Sequence, residues 1–143
     1  MSERLPGLPA PVLNPTNEGY WLRAAEGLFV IQRCASCGTH RHPPTEVCYA
    51  CHSQEWQWDE GLPGTGRVFS YTWVYRPNSS ALAPIVPYNV SIVEVDGTAG
   101  VVRVCANVFE VDDVRLQVGL PVRVVFDRCG SNVSLPAFVP HDT

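Results

Sequence analysis

The chain contains no lysine. All ten basic residues are arginine, set against 14 carboxylates, for a formal charge of −4. Schiff-base chemistry and a P-loop lysine are thereby excluded. The acidic balance also argues against generic nucleic-acid binding, which needs a positive footprint. There is no secretory apolar segment and no long apolar run, so nothing points to export or a membrane span, and the expected place is cytoplasmic. A nucleophile elbow and a Ser-His-Asp pattern are missing too, so no catalytic residue is expected. Long helices are disfavoured by 13 prolines and 11 glycines. A hydrophobic fraction of 45% still allows a buried core.

What the chain has is two cysteine pairs. Cys34-Ala35-Ser36-Cys37 and Cys48-Tyr49-Ala50-Cys51 are ten residues apart. Within each pair, two intervening residues let the backbone form a tight knuckle with both sulfurs pointing at one centre. Two such pairs read as one four-thiolate metal site. Sulfur tetrahedra take Zn²⁺ or iron, and Zn²⁺ is the commoner structural ion. Two disulfides or four free thiols are the plainer alternative. With four sulfurs the site is closed, so the metal is expected to staple the fold and not to catalyse. His40 and His42 lie between the pairs and His52 just after the second. Four cysteines already fill a tetrahedral site, so His40 and His42 are not expected to be ligands; His52 could hydrogen-bond near a sulfur, with a solvent-exposed residue the simpler reading. Cys105 and Cys129 are expected to be reduced thiols, Cys105 as a buried small hydrophobe.

Along the chain, residues 1–13 read as an extended arm. Asn14 is placed to cap a short helix with Pro15 at its first position, and Gly27 to end it. The segment from Thr16 to Glu26 puts Tyr20, Trp21, Ala24 and Ala25 on one side. So short a helix must pack on its own domain or on a partner. Leu28–Arg33 is a strand entering the first knuckle, and Trp56–Asp59 a strand closing the ribbon. Gly61–Gly66 is the expected boundary. Beyond it come five strands: Arg67–Tyr75, Tyr88–Val95, Val101–Phe109, Val122–Phe126 and Leu135–Val139. That pattern suggests a small barrel of the oligonucleotide/oligosaccharide-binding (OB) type, with a sandwich as the alternative. The expected divisions are 1–27 (arm and helix), 28–60 (metal ribbon) and 61–143 (barrel).

Tyr71, Trp73 and Tyr75 alternate along the first barrel strand, and Arg67 and Arg76 bracket it. An aromatic face flanked by arginine can stack an adenine and hold phosphates. Alternating aromatics are also how a barrel core is written. Both readings stand at this level. A base-stacking OB module for nucleic acid is a third, disfavoured by the charge.

Several short stretches together resemble the DUF35 family. They are Gln32-Arg33-Cys34-x-x-Cys37-Gly38, Pro43-Pro44, Cys48-x-x-Cys51 and Gly66-Arg67-Val68-Phe69-Ser70-Tyr71-Thr72. Arg76-Pro77, Pro87-Tyr88, Val114-Arg115, Gly119-Leu120-Pro121-Val122 and Leu135-Pro136 continue the series. They run from about residue 14 to 140. His52 departs from the glycine usual after the second pair, and His42 from the aromatic residue common before the two prolines. The resemblance implies a mainly β chain: a short N-terminal helix, a rubredoxin-like zinc ribbon, then a five-stranded OB-fold barrel. It implies a zinc-binding accessory subunit of enzymes that act on CoA thioesters. The expected partner is a thiolase or a lipid-transfer-type aldolase, with a MaoC-like enoyl-CoA hydratase as the alternative. A fused hydratase domain is not visible, so a separate subunit is expected. Arg67, Tyr71, Trp73 and Arg76 are the candidate CoA contacts, and Tyr20 and Trp21 the candidate partner contacts.

Overall fold

The computed structural model describes residues 2–3, 8–129 and 132–142. Ser2–Glu3 forms a two-residue strand, β1. Asn14 then opens the helical segment. Its side-chain oxygen accepts from the amides of Thr16 (2.9 Å) and Asn17 (2.8 Å). Its own amide donates to Asn17 Oδ1 at 2.8 Å, so the two asparagines close the turn that leads into the helix. The helix α1 follows as Glu18–Ala25. Gly27 ends it at φ +79°, with Leu28 N–H donating back to Arg23 O at 2.9 Å.

The ribbon is a three-stranded antiparallel sheet in the order β3-β2-β4. Its strands are β2 (Ile31–Cys34), β3 (His40–Arg41) and β4 (Trp56–Asp59). The barrel strands are β5 (Thr65–Val74), β6 (Tyr88–Val95), β7 (Arg103–Ala106), β8 (Pro121–Arg128) and β9 (Ser134–Pro140). β5, β6 and β7 form an antiparallel meander, and β8 and β9 a hairpin. β5 meets β8 over Thr65–Arg67 and Pro121–Arg123, and a parallel bridge from Val108 to Phe138 joins the other side. This curled five-stranded sheet is an OB-fold, not a sandwich. The arm is more than an extended tail: β1 pairs in parallel with Asp127 and Arg128 of β8. β9 fills the other edge of those residues, so β1 takes the edge that β5 uses further along β8.

One core runs through both halves. Tyr20 of α1 and Phe29, Val30 and Ile31 of the ribbon entry cluster with Val68, Val93, Val104, Val122 and Phe138 of the barrel. The Phe29 and Phe138 rings meet edge to face at 6.1 Å. The helix therefore docks within its own chain, between ribbon and barrel.

Two features differ from the sequence reading. Cys105 is exposed, not buried, because β7 turns Val104 inward and Arg103 and Cys105 outward. β5 carries a bulge between Val68 and Ser70. The extra residue resets the alternation, so Tyr71 and Trp73 follow Val68 against the core while Phe69 turns out.

Candidate metal centre and docking faces

The two knuckles are built alike. Gly38 N–H donates to Cys34 O at 3.0 Å, and His52 N–H to Cys48 O at 2.9 Å. Cys34 N–H donates to Thr39 O and Cys48 N–H to Ser53 O, both at 2.9 Å. Both turns need a left-handed residue, supplied by Gly38 at φ +80° and by His52 at φ +65°. The departure at His52 therefore does not distort the second knuckle. It places a side chain where L-residues are strained. Ser36 and Ser53 tie the knuckles to each other through their hydroxyls at 2.8 Å.

Cys34, Cys37, Cys48 and Cys51 bring their sulfurs within 4.8 Å of one another. Cys34 and Cys51 are 3.6 Å apart, and Cys37 and Cys48 3.7 Å. A tetrahedron with metal–sulfur bonds of about 2.3 Å has edges of about 3.8 Å. The donor set thus fits a tetrahedral, thiophilic ion, and all four corners are protein. The local field favours thiolate at two positions. The Cys37 amide, first among several donors, holds Cys34 down to about 6. The Thr39 hydroxyl, 3.1 Å from the sulfur, leads in lowering Cys37. At Cys51 the Ser53 amide pulls down, yet desolvation and the three neighbouring sulfurs push the thiol up to about 11. Four thiolates this close repel one another unless a cation lies among them.

Neither histidine between the pairs joins the sulfurs. His40 is paired through Nε2 with Asp59 Oδ2 at 2.8 Å, and this contact leads in holding the Asp59 carboxyl below its usual range. His42 packs against the Tyr20 ring at 5.0 Å. The arm between the knuckles is clamped by Gln32, which the sequence did not single out. Its buried amide donates to Thr45 O and accepts from Thr45 N–H, both at 2.8 Å. Arg41 lies beside it, 3% exposed, with Nη2 donating to the same carbonyl at 2.9 Å.

The helix is pinned on both sides. Trp58 of β4 lies directly against Gly19, where a Cβ would overlap its ring. Arg23 sits over the same indole at 6.0 Å and its Nε donates to Glu60 at 2.9 Å. Toward the barrel, Tyr20 and Trp21 meet edge to face at 4.7 Å. Tyr20 is 3% exposed and its hydroxyl is pushed up by burial, so it holds the helix in place from inside. Trp21, half-buried, lines a cavity of about 250 Å³ with His42, Asn107 and Asp127.

The four barrel candidates do not form one patch. Tyr71 and Trp73 are half-buried against the core. Arg67 donates to Gly119 O at 3.1 Å. Arg76 is exposed just beyond the far end of β5. Arg67 lies near the start of β5 and Arg76 two residues past its end at Val74, so the two arginines sit toward opposite ends of the strand. An exposed arginine–aromatic pair that the sequence reading missed is Phe69 with Arg103 stacked at 3.9 Å. The bulge that exposes Phe69 leaves no signature in the residues themselves.

Among the described residues, no helix is long and apolar enough to cross a membrane. Comparison with known proteins matches both halves. Residues 21–57 match the family described as ChsH2, rubredoxin-like zinc ribbon domain, and residues 60–127 the ChsH2, C-terminal OB-fold domain. A solved structure described as "Ltp2-ChsH2(DUF35) aldolase" is similar at 34% identity and a TM-score of 0.77, over 92% of this chain and 98% of that one. A curated protein of Thermomonospora curvata, "Probable enoyl-CoA hydratase alpha subunit", is 36% identical over 134 residues, 92% of this chain. The chain spans only 40% of that protein's length. A "DUF35 domain-containing scaffold protein" of Methanocaldococcus jannaschii is 27% identical over 96 residues, 67% of this chain and 65% of the relative. With a cysteine-bearing ribbon and an OB barrel matched in sequence and in shape, the chain belongs to the DUF35 family.

Proposed function

We propose that this chain is a non-catalytic subunit, stapled by Zn²⁺, that docks on and supports a thiolase-like enzyme of the lipid-transfer aldolase type acting on acyl-CoA thioesters. One observation carries the reading: the 34% identity that spans 98% of the chain in the Ltp2-ChsH2(DUF35) aldolase. The closed four-sulfur centre agrees with it, because no corner is left for a substrate. Zn²⁺ is held by Cys34, Cys37, Cys48 and Cys51 and keeps α1 and the arm set against the barrel. The working parts are the arm and helix (1–27), the ribbon (28–60) and the barrel (61–143). Arg76 and the exposed Tyr75 at the tip of β5 are candidates for partner contact.

A second reading has its own support. The 36% identity to the enoyl-CoA hydratase alpha subunit favours a MaoC-like hydratase as partner. Co-expression with a thiolase-like or a hydratase-like protein encoded beside it, followed by size exclusion, separates the two. Co-elution with the thiolase-like protein is the expected result. Separate peaks with both, over a wide range of concentration, would remove the subunit reading.

A further inference from the structure

The β5-β6-β7 meander ends on a free edge. β7 is the last strand of its sheet and pairs with β6 alone. In an antiparallel pair, alternate residues turn their N–H and C=O toward the neighbour. Val95 N–H donates to Val102 O at 3.0 Å, which fixes the phase. Val104 and Ala106 therefore bond to β6, while Arg103, Cys105 and Asn107 turn their backbone groups away from it. Asn107 finds a partner, since Phe138 N–H of β9 donates to its carbonyl at 3.0 Å. Continued toward Cys105, this parallel ladder reaches Pro136, which has no N–H to give. The ladder stops there. The N–H and C=O groups of Arg103 and Cys105 have no backbone partner among the described residues.

Both residues are exposed, and such an edge is a template for another strand. Its surroundings limit what that strand can be. The cavity of about 250 Å³ lies beside it, between Cys105 and Asn107 on one side and Leu135 and Ala137 on the other, with Trp21 of α1. A cavity of about 150 Å³ already holds benzene, so this one has room for a side chain of that size. On the outer face, Arg103 is held by Phe69 at 3.9 Å and by Glu94 at 3.5 Å. Arg67 pairs with Glu94 from the other side, so two guanidiniums flank one carboxylate. A second copy of this chain fits that edge badly. Antiparallel pairing of Arg103 with Cys105 of another copy sets the two Arg103 side chains at diagonal positions, about 7–8 Å apart, where like charges oppose each other. A strand bearing a carboxylate there meets the spare positive charge instead.

We infer that an extended segment of the partner enzyme adds to the free edge of β7, with a carboxylate facing Arg103 and the next side chain, apolar, turned toward the cavity between β7, β9 and α1. The inference rests on the proposed role as an enzyme's subunit and names where and how that enzyme is gripped. Backbone bonds to Arg103 and Cys105 set the register, and strand alternation sends neighbouring side chains to opposite faces. With the segment in place, β7 becomes a central strand and Pro136 marks where the chain's own ladder gives way to the partner's.

The test is amide exchange of the full zinc-loaded chain, alone and in complex with the thiolase-like protein encoded beside it. In the free chain the Arg103 and Cys105 amides are expected to exchange fast and the Val104 amide slowly. In the complex both edge amides should slow at least about tenfold, the worth of one hydrogen bond. Cys105→Pro removes the edge N–H, a change that edge strands tolerate, and Arg103→Glu reverses the charge. Each should weaken binding at least about tenfold, with Arg103→Lys retaining most of the affinity. Should Cys105→Pro fail to fold, amide exchange and Arg103→Glu still decide. A co-eluting complex whose edge amides stay as fast as in the free chain overturns the inference, as does wild-type affinity in Arg103→Glu. Slowing in the chain alone that grows with concentration gives the edge to a second copy and overturns it too. Protection of the same amides by a hydratase-like protein instead would support the edge and overturn only the thiolase-type partner. Elution apart from both enzymes would overturn the subunit reading and this inference with it.

Discussion

Gly19 of the helix lies flat against the Trp58 indole of the ribbon, with a Cβ at position 19 falling 2.7 Å from Trp58 Cε2. Propensity alone says that alanine in a helix is about 1 kcal/mol better than glycine. Packing says the opposite here, because the new methyl group must displace an indole and the Arg23 guanidinium stacked on it. Overpacking of this kind costs typically about 1–3 kcal/mol and outweighs the propensity gain. Gly19→Ala is expected to lower stability in urea unfolding. It should also loosen α1, seen as faster amide exchange at Tyr20 and Trp21. A more stable variant would mean that the helix can retreat from Trp58 at no cost.

His52 is the reverse case. A non-glycine residue in the left-handed region costs about 1–2 kcal/mol. Glycine there adds unfolded-state entropy worth about 0.4–1 kcal/mol. The strain is the larger quantity, so His52→Gly should stabilise the metal-loaded chain by about 0.5–1 kcal/mol. Metal loss to a chelator should slow in parallel, since the knuckle no longer resists its own turn. Equal melting temperatures and equal chelation rates would show that the His52 side chain repays its strain through contacts of its own.

How far the residues alone reveal this molecule depends on whether the signal is local. The knuckles and the Gly27 stop are written within five residues of where they act, and each is found where the sequence places it, whereas the helix takes Asn17 as its N-cap, three residues after Asn14. Cys105 was readable too: Arg103, two positions away, shares its face and faces solvent. The bulge at Phe69, the pairing of β1 with β8 and the joining of Phe29 to Phe138 were not readable. Each depends on residues far apart in the chain that meet only once the barrel has curled. The candidate site divides the same way. The four sulfurs are a local pattern, whereas the separation of Arg67 from Arg76 and the free edge of β7 are properties of the assembled barrel.

That shared core sets what happens when the metal is lost. A ribbon read in isolation would melt away from an intact barrel. Here Phe29, Val30 and Ile31 are core residues of both, so releasing the ribbon strips apolar cover from Phe138 and Val122. Cys48→Ser should lose the metal and lower the barrel's own melting temperature. Structural zinc contributes many kcal/mol in small modules, and even a loss of about 3 kcal/mol to the barrel shifts a domain of this size by roughly 10 °C. Chelation of the wild-type chain should do the same. Unchanged barrel melting in both experiments would show that the two halves fold independently.

The junction cavity predicts an acid weakness. His42 is held down to about 4 by burial, from an ordinary value of 6.5. In the unfolded chain it takes up its proton as pH falls through 6.5, while in the folded chain it stays neutral until about 4. The unfolded state therefore binds more protons between those limits, and stability rises with pH across that window and is lost as pH falls through it. At pH 5 the loss attributable to this one group is at most about 2 kcal/mol. Asp127 lines the same cavity, and its charge would favour the protonated ring and reduce the effect. His42→Phe keeps a ring against Tyr20 and removes the titration. Urea unfolding at pH 7, 6 and 5 should show the variant losing about 1–2 kcal/mol less than wild type over that range. Thiol protonation and metal release act on both chains alike, so the difference between them isolates the imidazole. Parallel pH profiles for the two would place the charged form of His42 in contact with solvent and remove it from the junction's energetics.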